Sequence, residues 1–194
     1  MRPVLQILTV VGALLGGAVL GGGSAWVFSG ISRSVGEGPG PWRTTKGIGE
    51  SSSGLVQRAV VARIGIWALP ASEVVYFQAQ MDDDGRALSR DCTYELTADR
   101  DPPTRWWSIT LYRDNFWVDN PADRYSFASS SVAREPGGGY RVILSSTPKA
   151  GNWLPMGEVD GEFVLSFRNY QPDPIIAANP EATPLPKIRR LTCG

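Results

Sequence analysis

Residues 106–112 read WWSITLY, and this stretch decides the fold class. Trp107, Ile109 and Leu111 alternate with residues of the opposite face, which is the period of a strand buried on one side. Comparable alternation, or a short run of strand-forming residues, occurs at 74–81, 92–97, 116–118, 125–127, 131–134, 140–145 and 163–168. Turn residues separate these runs, as in the DDG sequence at 83–85. The pattern predicts a mainly β domain, built as an antiparallel β-sandwich of jelly-roll type.

One short helix is predicted before the first strand. Apolar residues between Leu55 and Trp67 recur at intervals of three and four, and Pro70 closes the segment. The expected organisation is a Gly/Ser-rich linker over residues 29–54, followed by the β-sandwich domain over residues 55–194.

Two segments outside the strands are expected to lie against the domain. The linker contains the sequence GPW at 40–42, and the large aromatic Trp42 indicates that part of it docks. After Tyr170 the chain is rich in proline as far as Pro186, which predicts an extended tail over the surface.

Residues 1–28 predict a transmembrane helix. Residues 3–32 carry no charge, and about 20 apolar residues are enough to cross the hydrocarbon core. Arg2 and the amino terminus favour the cytoplasmic side, which places the β domain outside. A cleaved signal peptide remains open, because GSA at 23–25 offers small residues before a mature chain beginning at Trp26. The expected location is the bacterial inner membrane, single-pass, with the C-terminal domain in the periplasm.

Composition excludes several classes of function. The chain has no histidine, which excludes Ser-His-Asp and Cys-His catalysis and His-containing zinc sites. Two cysteines are too few for an all-Cys zinc site, so neither a metal nor a cofactor is predicted. Lys and Arg number 19, and Asp and Glu also number 19, without a basic patch; no nucleic-acid partner is expected.

A disulfide is predicted between Cys92 and Cys193. They are the only two cysteines, and disulfides form and persist in exported proteins. Cys92 alternates with Tyr94 and Leu96, so its side chain is expected to face inward. The bridge would tie down the C-terminal tail, with a Cα separation of about 4.4–6.8 Å.

The candidate ligand-binding residues are Trp106, Trp117, Asp119 and Arg124. Two aromatic strands beside a polar cluster are typical of a recognition site with an aromatic floor, suited to a carbohydrate or another envelope ligand. A structural interpretation remains open: Asp119 caps a turn, Arg124 is buried in a hydrogen-bonded pair, and the aromatic residues are packed. On that interpretation Arg124→Ala loses roughly 3–5 kcal/mol of stability.

Catalytic and calcium-binding alternatives are weaker. Residues 82–84 are consecutive aspartates followed by Gly85, which favours a hairpin turn over a calcium loop. A hydrolase without histidine would need two carboxylates in one cleft. The candidates are Glu95, Asp119, Asp123, Glu158 and Glu162. Lys149 lies in a loop-like sequence, which disfavours a Ser-Lys dyad.

Four ordered motifs resemble a known family. They are WWSITLY at 106–112, DNP with RYSF over 119–127, NWLP at 152–155, and the aromatic run of 163–172 that contains Arg168. Together they resemble the bacterial family called domain of unknown function 1214, over roughly residues 38–193. GPW at 40–42 resembles its stand-alone, membrane-anchored branch. The resemblance implies a jelly-roll-like β domain and an exported location, and it implies no activity.

These observations favour a non-enzymatic envelope domain that binds a ligand or a protein near the membrane. Two alternatives stay open: a carboxylate-dependent hydrolase acting on an envelope glycan, and a purely structural assembly component. The expected partners are the membrane and an unknown envelope ligand or protein. Whether the domain is an enzyme is left open at this point.

Overall fold

The computed structural model describes residues 2–31, 36, 38–64, 68–114, 116–158 and 161–194. Its helices are α1 (Arg2–Ile31), α2 (Leu55–Ile64), α3 (Pro174–Ala178) and a short 3-10 helix (Pro180–Ala182). Its strands are β1 (Trp42–Arg43), β2 (Val74–Ala79), β3 (Cys92–Ala98), β4 (Thr104–Arg113), β5 (Phe116–Trp117), β6 (Ser126–Ala128), β7 (Tyr140–Ser145), β8 (Trp153–Pro155), β9 (Val164–Pro172) and β10 (Lys187–Cys193).

The strands form two sheets. The larger has the order β1-β2-β9-β4-β5, with β6 also paired to β4, and the smaller has the order β10-β3-β7-β8. All pairs are antiparallel except β7 with β8. The prediction of a mainly β, antiparallel fold is confirmed. The run at 131–134 is not a strand, and contributes only an isolated bridge between Arg134 and Tyr140.

Alternation along the strands produces one core between the sheets. Trp107 of β4 stacks on Tyr140 of β7 with ring centroids 4.6 Å apart, and on Phe167 of β9 at 5.4 Å. Tyr94 of β3 meets Phe163 edge-on at 5.9 Å. Such pairs contribute about 0.5–1.5 kcal/mol each beyond their burial. The aromatic residues therefore hold the two sheets together.

Part of the linker packs on the edge of the larger sheet. Trp42 is 1% exposed, its Nε1 donates to the Pro186 carbonyl at 2.7 Å, and its ring lies edge-on to Phe167 at 5.9 Å. A Cβ at Gly38 would lie 2.3 Å from the Trp42 carbonyl oxygen, so only glycine fits there. The chain before β1 is thus held against the domain.

The C-terminal segment differs from the extended tail that the sequence predicted. Asp173 caps α3 by accepting a hydrogen bond from the Ile175 amide at 2.9 Å, and a 3-10 helix follows. The final residues then form β10, which pairs with β3 along its length. The extended-tail prediction is wrong because proline is compatible with the first turn of a helix, and because strand pairing lets Ile188 enter the core.

The predicted disulfide is present. Cys193 lies directly opposite Cys92 in the β10–β3 register, and the bridge links them. Their Cα atoms are 3.9 Å apart, closer than the predicted range. The last strand is therefore attached to the sheet both by its backbone hydrogen bonds and covalently.

The predicted turn at residues 82–84 is also present. The Asp82 carboxylate accepts hydrogen bonds from the amides of Asp84 at 3.1 Å and Arg86 at 2.9 Å. Asp83 points elsewhere and accepts from the Ile188 amide at 3.0 Å. Consecutive aspartates thus serve different partners, which suits a turn rather than a calcium loop.

The N-terminal helix α1 exposes its apolar side chains. Its segment Gln6–Ser24 has a mean hydropathy of 1.8 and is long and apolar enough to cross a membrane, with none of it buried. A core helix of a globular domain would be covered by protein, so a membrane anchor and a signal sequence remain as interpretations. The helix predicted up to Trp67 is observed as α2, and residues 65–67 lie outside the described residues.

Candidate functional site

The outer face of the larger sheet carries the predicted aromatic residues. Because side chains alternate along a strand, the neighbours of the buried Trp107, Ile109 and Leu111 point away from the core. We call this surface the aromatic face and define it by Tyr76, Trp106, Tyr112, Trp117, Arg168 and Tyr170. The smaller sheet packs on the opposite side of the larger sheet, and the six residues of the aromatic face are partly or fully exposed among the described residues.

Trp106 and Tyr170 form one end of the aromatic face. They pair directly across β4 and β9, with ring centroids 5.1 Å apart and planes at 56°. Trp106 Nε1 donates to the Ser130 hydroxyl at 3.1 Å. Both rings are partly exposed and held in place, which preorganises them for stacking.

Trp117 forms the other end. It is 63% exposed, and its Nε1 donates to the Tyr112 hydroxyl at 3.1 Å. Its ring lies 5.6 Å from that of Tyr125. An exposed tryptophan with a fixed indole nitrogen is thus presented at the edge strand β5.

Arg168 lies in the centre of the aromatic face. Its Nη2 donates to the Tyr112 hydroxyl at 2.8 Å, its Nη1 donates to the Thr110 hydroxyl at 3.3 Å, and its guanidinium lies 5.2 Å from the Tyr112 ring centroid. Across β2 its neighbour is Tyr76. Burial raises the pKa of the Tyr76 hydroxyl, while a backbone hydrogen bond from Leu69 and the Arg168 charge oppose that shift.

Short hydroxyl side chains form the floor beside Arg168. Ser108 pairs with Arg168 across the sheet, and Thr110 pairs with Ser166. All three hydroxyl residues are buried, whereas the aromatic side chains around them are partly exposed. The face therefore carries short, buried hydroxyl side chains between longer, partly exposed aromatic side chains.

The four residues predicted as a site do not form one cluster. Trp106 lies six residues along β4 from Tyr112, the strand partner of Trp117, which is roughly 20 Å. Asp119 and Arg124 lie in the loop that follows Trp117. The pKa of the exposed Tyr125 hydroxyl in this loop is raised by a hydrogen bond to Asp123 and by nearby carboxylate charge. The structure thus separates Trp106 from the other three.

Arg124 is exposed, and the prediction that it is buried in a pair is wrong. Its guanidinium lies 4.8 Å from the Phe127 ring centroid. The loop is stabilised by Asn120, whose side chain accepts from the Arg124 amide and donates to the Arg124 and Val118 carbonyls. Asn120, rather than Asp119, therefore caps this turn. The large loss of stability expected of Arg124→Ala has no structural basis.

Arg168 is the site residue that the sequence-based selection missed. The alternation in the sequence could have identified Arg168, because it occupies an outward position between the inward Phe167 and Asn169 of a central strand. Arg124 drew attention through its polar neighbours in sequence. Only the strand pairing brings Arg168 beside Thr110 and Tyr112 of β4.

An open depression of about 500 Å³ lies on the smaller sheet and contains one of the candidate carboxylates. Glu95 is paired with Arg189 at 2.6 Å and with Arg141 at 3.6 Å, and Glu135 is also paired with Arg141 at 3.5 Å. A glycosidase pair needs one protonated carboxyl group, whereas both carboxylates here face guanidinium groups. This depression does not favour the hydrolase alternative.

Among the described residues, three buried polar side chains of the core have polar atoms without a hydrogen-bond partner. They are the indole nitrogen of Trp107, the hydroxyl of Tyr140 and the whole amide of Asn169. Trp107 stacks on Tyr140 and pairs with Asn169 across the sheet, so the three are neighbours. Burial raises the pKa of the Tyr140 hydroxyl, which stays neutral. No motif in the sequence distinguished this cluster from ordinary core residues.

The protein is thus a two-sheet β domain that follows an apolar N-terminal helix and carries aromatic residues on its outer face. The model of the family described as "Protein of unknown function (DUF1214)" matches residues 73–174, which is more than half of the chain. The chain belongs to this family, as its motifs predicted.

Two solved structures align with parts of this chain. The VPA0106 protein from Vibrio parahaemolyticus aligns with a TM-score of 0.60 and 22% identity, over 73% of this chain and 36% of that one. A putative uncharacterized protein from Burkholderia cenocepacia aligns with a TM-score of 0.47 and 17% identity, over 61% of this chain and 30% of that one. This chain thus spans about a third of the length of the solved relative from Vibrio. No curated protein matches it.

Proposed function

We propose that this protein is a membrane-anchored envelope protein of bacteria whose periplasmic domain binds a ligand without catalysing a reaction. The ligand class proposed is a carbohydrate of the envelope. The observation that carries the proposal is the aromatic face, where rings are fixed by hydrogen bonds yet left exposed by the fold. Exposed aromatic side chains offer large, rigid contact area for the apolar faces of sugar rings.

Three features support the location. The exposed apolar helix α1 has the length and composition of a membrane span. The disulfide supports an exported domain, because such bridges are rare in reducing compartments. The tether is short: a Cβ at Gly36 would lie 2.8 Å from the Thr44 carbonyl, so Gly36 already docks on the domain. Five residue steps from Ile31 to Gly36 reach at most ~18 Å, which keeps the domain close to the end of α1.

The topology has a direct test. We expect a reporter that is active only in the periplasm to be active when it is fused after Gly194. Arg2 and the amino terminus keep the N-terminal end of α1 in the cytoplasm, so the domain that follows α1 lies on the other side of the membrane. The matched control is a reporter active only in the cytoplasm, fused at the same position. Activity of that control, with a silent periplasmic reporter, would overturn the location.

Ligand binding is tested on the full-length protein in lipid nanodiscs. Soluble glycan strands from peptidoglycan are titrated, and tryptophan fluorescence is followed. We expect saturable binding that Trp106→Ala weakens about tenfold, since a good aromatic contact is worth ~1–1.5 kcal/mol. Trp153→Ala is the matched control, because Trp153 lies on the smaller sheet.

Thermal unfolding of both variants separates a loss of contact from a loss of fold. If Trp106→Ala binds the glycan as the wild type does, the aromatic face is not the binding surface. Equal weakening by both tryptophan substitutions would lead to the same conclusion.

A further inference from the structure

We propose that Arg168 is an anion-binding group at the centre of the aromatic face, so that the ligand carries a carboxylate or a phosphate. The inference rests on the proposed function for the choice of this face as the binding surface. It adds the chemical class of the ligand: an acidic sugar rather than a neutral one.

Arg168 differs from two other partly covered arginines, Arg134 and Arg190, which are paired with carboxylates; a third, Arg90, donates to the Gly157 carbonyl. Arg134 donates to both oxygens of Asp101, at 2.7 and 2.8 Å. Arg190 donates to the buried Asp82 at 2.8 Å. Each of these guanidinium groups is neutralised by a carboxylate of the same chain, as partly covered charges usually are.

Arg168 has no carboxylate partner among the described residues. Its two hydrogen-bond acceptors are the neutral hydroxyl groups of Thr110 and Tyr112. Across the part of the chain that the structure describes, no carboxylate is within ion-pair distance of it. A partly buried guanidinium without a nearby carboxylate favours the binding of an anion from solvent.

Arg168 keeps N–H donors after it has made its two hydroxyl hydrogen bonds. A guanidinium has five N–H donors in a planar fork, and Arg168 uses two nitrogens for the hydroxyl bonds. Those bonds and the Tyr112 ring fix the orientation of the fork. A fixed fork with free donors suits the oxygen atoms of a carboxylate or phosphate group, since Arg binds such groups in a bidentate geometry.

Arg168 and the stacked rings share one face of the larger sheet. Tyr170 follows Arg168 by two residues on β9, so their Cα atoms are about 7 Å apart, and the Arg168 guanidinium is directed the other way, toward Tyr112. Trp106 pairs with Tyr170 and widens that aromatic surface. A ligand that contacts both Arg168 and Trp106 therefore needs an acidic group more than ~7 Å from the sugar ring that stacks on Trp106.

The experiment follows the Nε–Hε resonance of Arg168 by NMR, in the full-length protein labelled with 15N and held in lipid nanodiscs. Sodium acetate and inorganic phosphate are the probes, titrated at constant ionic strength against sodium chloride. We expect a saturable shift with a dissociation constant in the millimolar range for at least one probe. Acetate and phosphate distinguish a carboxylate ligand from a phosphate ligand.

Variants separate the site from general charge effects. The two Arg168 variants lack the Arg168 resonance, so their binding is followed through the backbone amide resonances of Thr110 and Tyr112. We expect Arg168→Gln to weaken anion binding at least about tenfold, and Arg168→Lys to weaken it less because it keeps the charge and loses the fork. Arg141→Gln, an exposed arginine on the smaller sheet, is the matched control and should bind as the wild type does. If Arg168→Gln does not fold, the Arg168 resonance of the wild type and the amide resonances of the lysine variant still decide the outcome.

Failure of this inference is distinguishable from failure of the proposed function. An Arg168 resonance that does not respond to either probe overturns the anion site. If glycan strands nevertheless bind equally to the wild type and to Arg168→Gln, the face binds neutral ligands. If the probes bind and the glycan strands do not, the anion site stands and the carbohydrate assignment falls.

Discussion

Reduction of the Cys92–Cys193 disulfide is expected to lower the free energy of unfolding by up to ~4.7 kcal/mol, the largest single effect that we predict. The two cysteines are 101 residues apart in sequence. In the chain-entropy model a bridge across so long a loop removes many conformations of the unfolded chain. The native state loses little on reduction, because the β10–β3 backbone pairing remains.

The position of the bridge determines which part of the domain responds. β10 is an edge strand, paired on one side only with β3. Chain ends fray unless they are tied down. After reduction, we expect the amides of β10 to lose protection from hydrogen exchange before those of β4 and β9 in the larger sheet.

The measurement is chemical unfolding with and without a reducing agent. Cys193→Ser is the preferred variant because Cys193 is exposed, whereas Cys92 is buried and its replacement also disturbs the core. In the Cys193→Ser variant the reducing agent should have no further effect. Identical unfolding midpoints for oxidised and reduced wild type would contradict the stabilising role of the bridge.

Replacement of Arg190 by Met is expected to destabilise the domain by about 3 kcal/mol, the second largest effect. Asp82 has 1% of its side chain exposed and Arg190 has 16%. The variant leaves the buried carboxylate without its main cation, which is the costly way to break such a pair. We expect the lower end of the usual 3–5 kcal/mol range because Arg86 Nε remains 3.4 Å away.

The same pair predicts how stability depends on pH. Burial opposes ionisation of Asp82, but the Arg86 amide and the Arg190 guanidinium outweigh it, so the pKa of Asp82 lies below its ordinary value of 3.8. A lowered pKa in the folded state stabilises the protein above the unfolded pKa. That contribution is lost as the pH falls from about 3.8 through the lower pKa of the folded state. Arg190→Met should lose less stability over this interval than the wild type.

Arg189→Gln is the matched control on the same strand. Arg189 is 67% exposed, and its partner Glu95, 12% exposed, keeps Arg141 at 3.6 Å when Arg189 is replaced, so we expect a loss of at most ~1 kcal/mol. The readouts are the midpoint of urea unfolding at neutral pH and its change on acidification. Equal losses for the Arg189 and Arg190 variants would refute the special role of the buried carboxylate.

The local features of this protein follow from its sequence. Trp107, Ile109 and Leu111 face the core because a strand buried on one side imposes a period of two, and no distant residue is needed to see it. The aspartate turn at 82–84 follows in the same way from local side-chain geometry. The disulfide follows from having two cysteines in a chain with an apolar N-terminal helix.

It was harder to predict from the sequence which residues lie together on one surface. The ligand-binding interpretation required Trp106 and Trp117 to face outward, but the distance between the two was not evident from the sequence. Asp119 and Arg124 are close in sequence to Trp117 and also close in space. Choosing residues that are neighbours in sequence therefore identified the Trp117 end of the aromatic face and missed Arg168 at its centre.

The pattern of residues within each segment is enough to identify the apolar helix, the alternating strands, the turns and the family motifs. The contact of Arg168 with Thr110 and Tyr112, and the position of the C-terminal segment as an edge strand opposite Cys92, are seen only in the folded domain. The physical reason is that pairing of strands far apart in sequence depends on register and on burial summed over both sheets. Alternation fixes the face on which a side chain lies, whereas its neighbours on that face are fixed only when the whole sheet has formed.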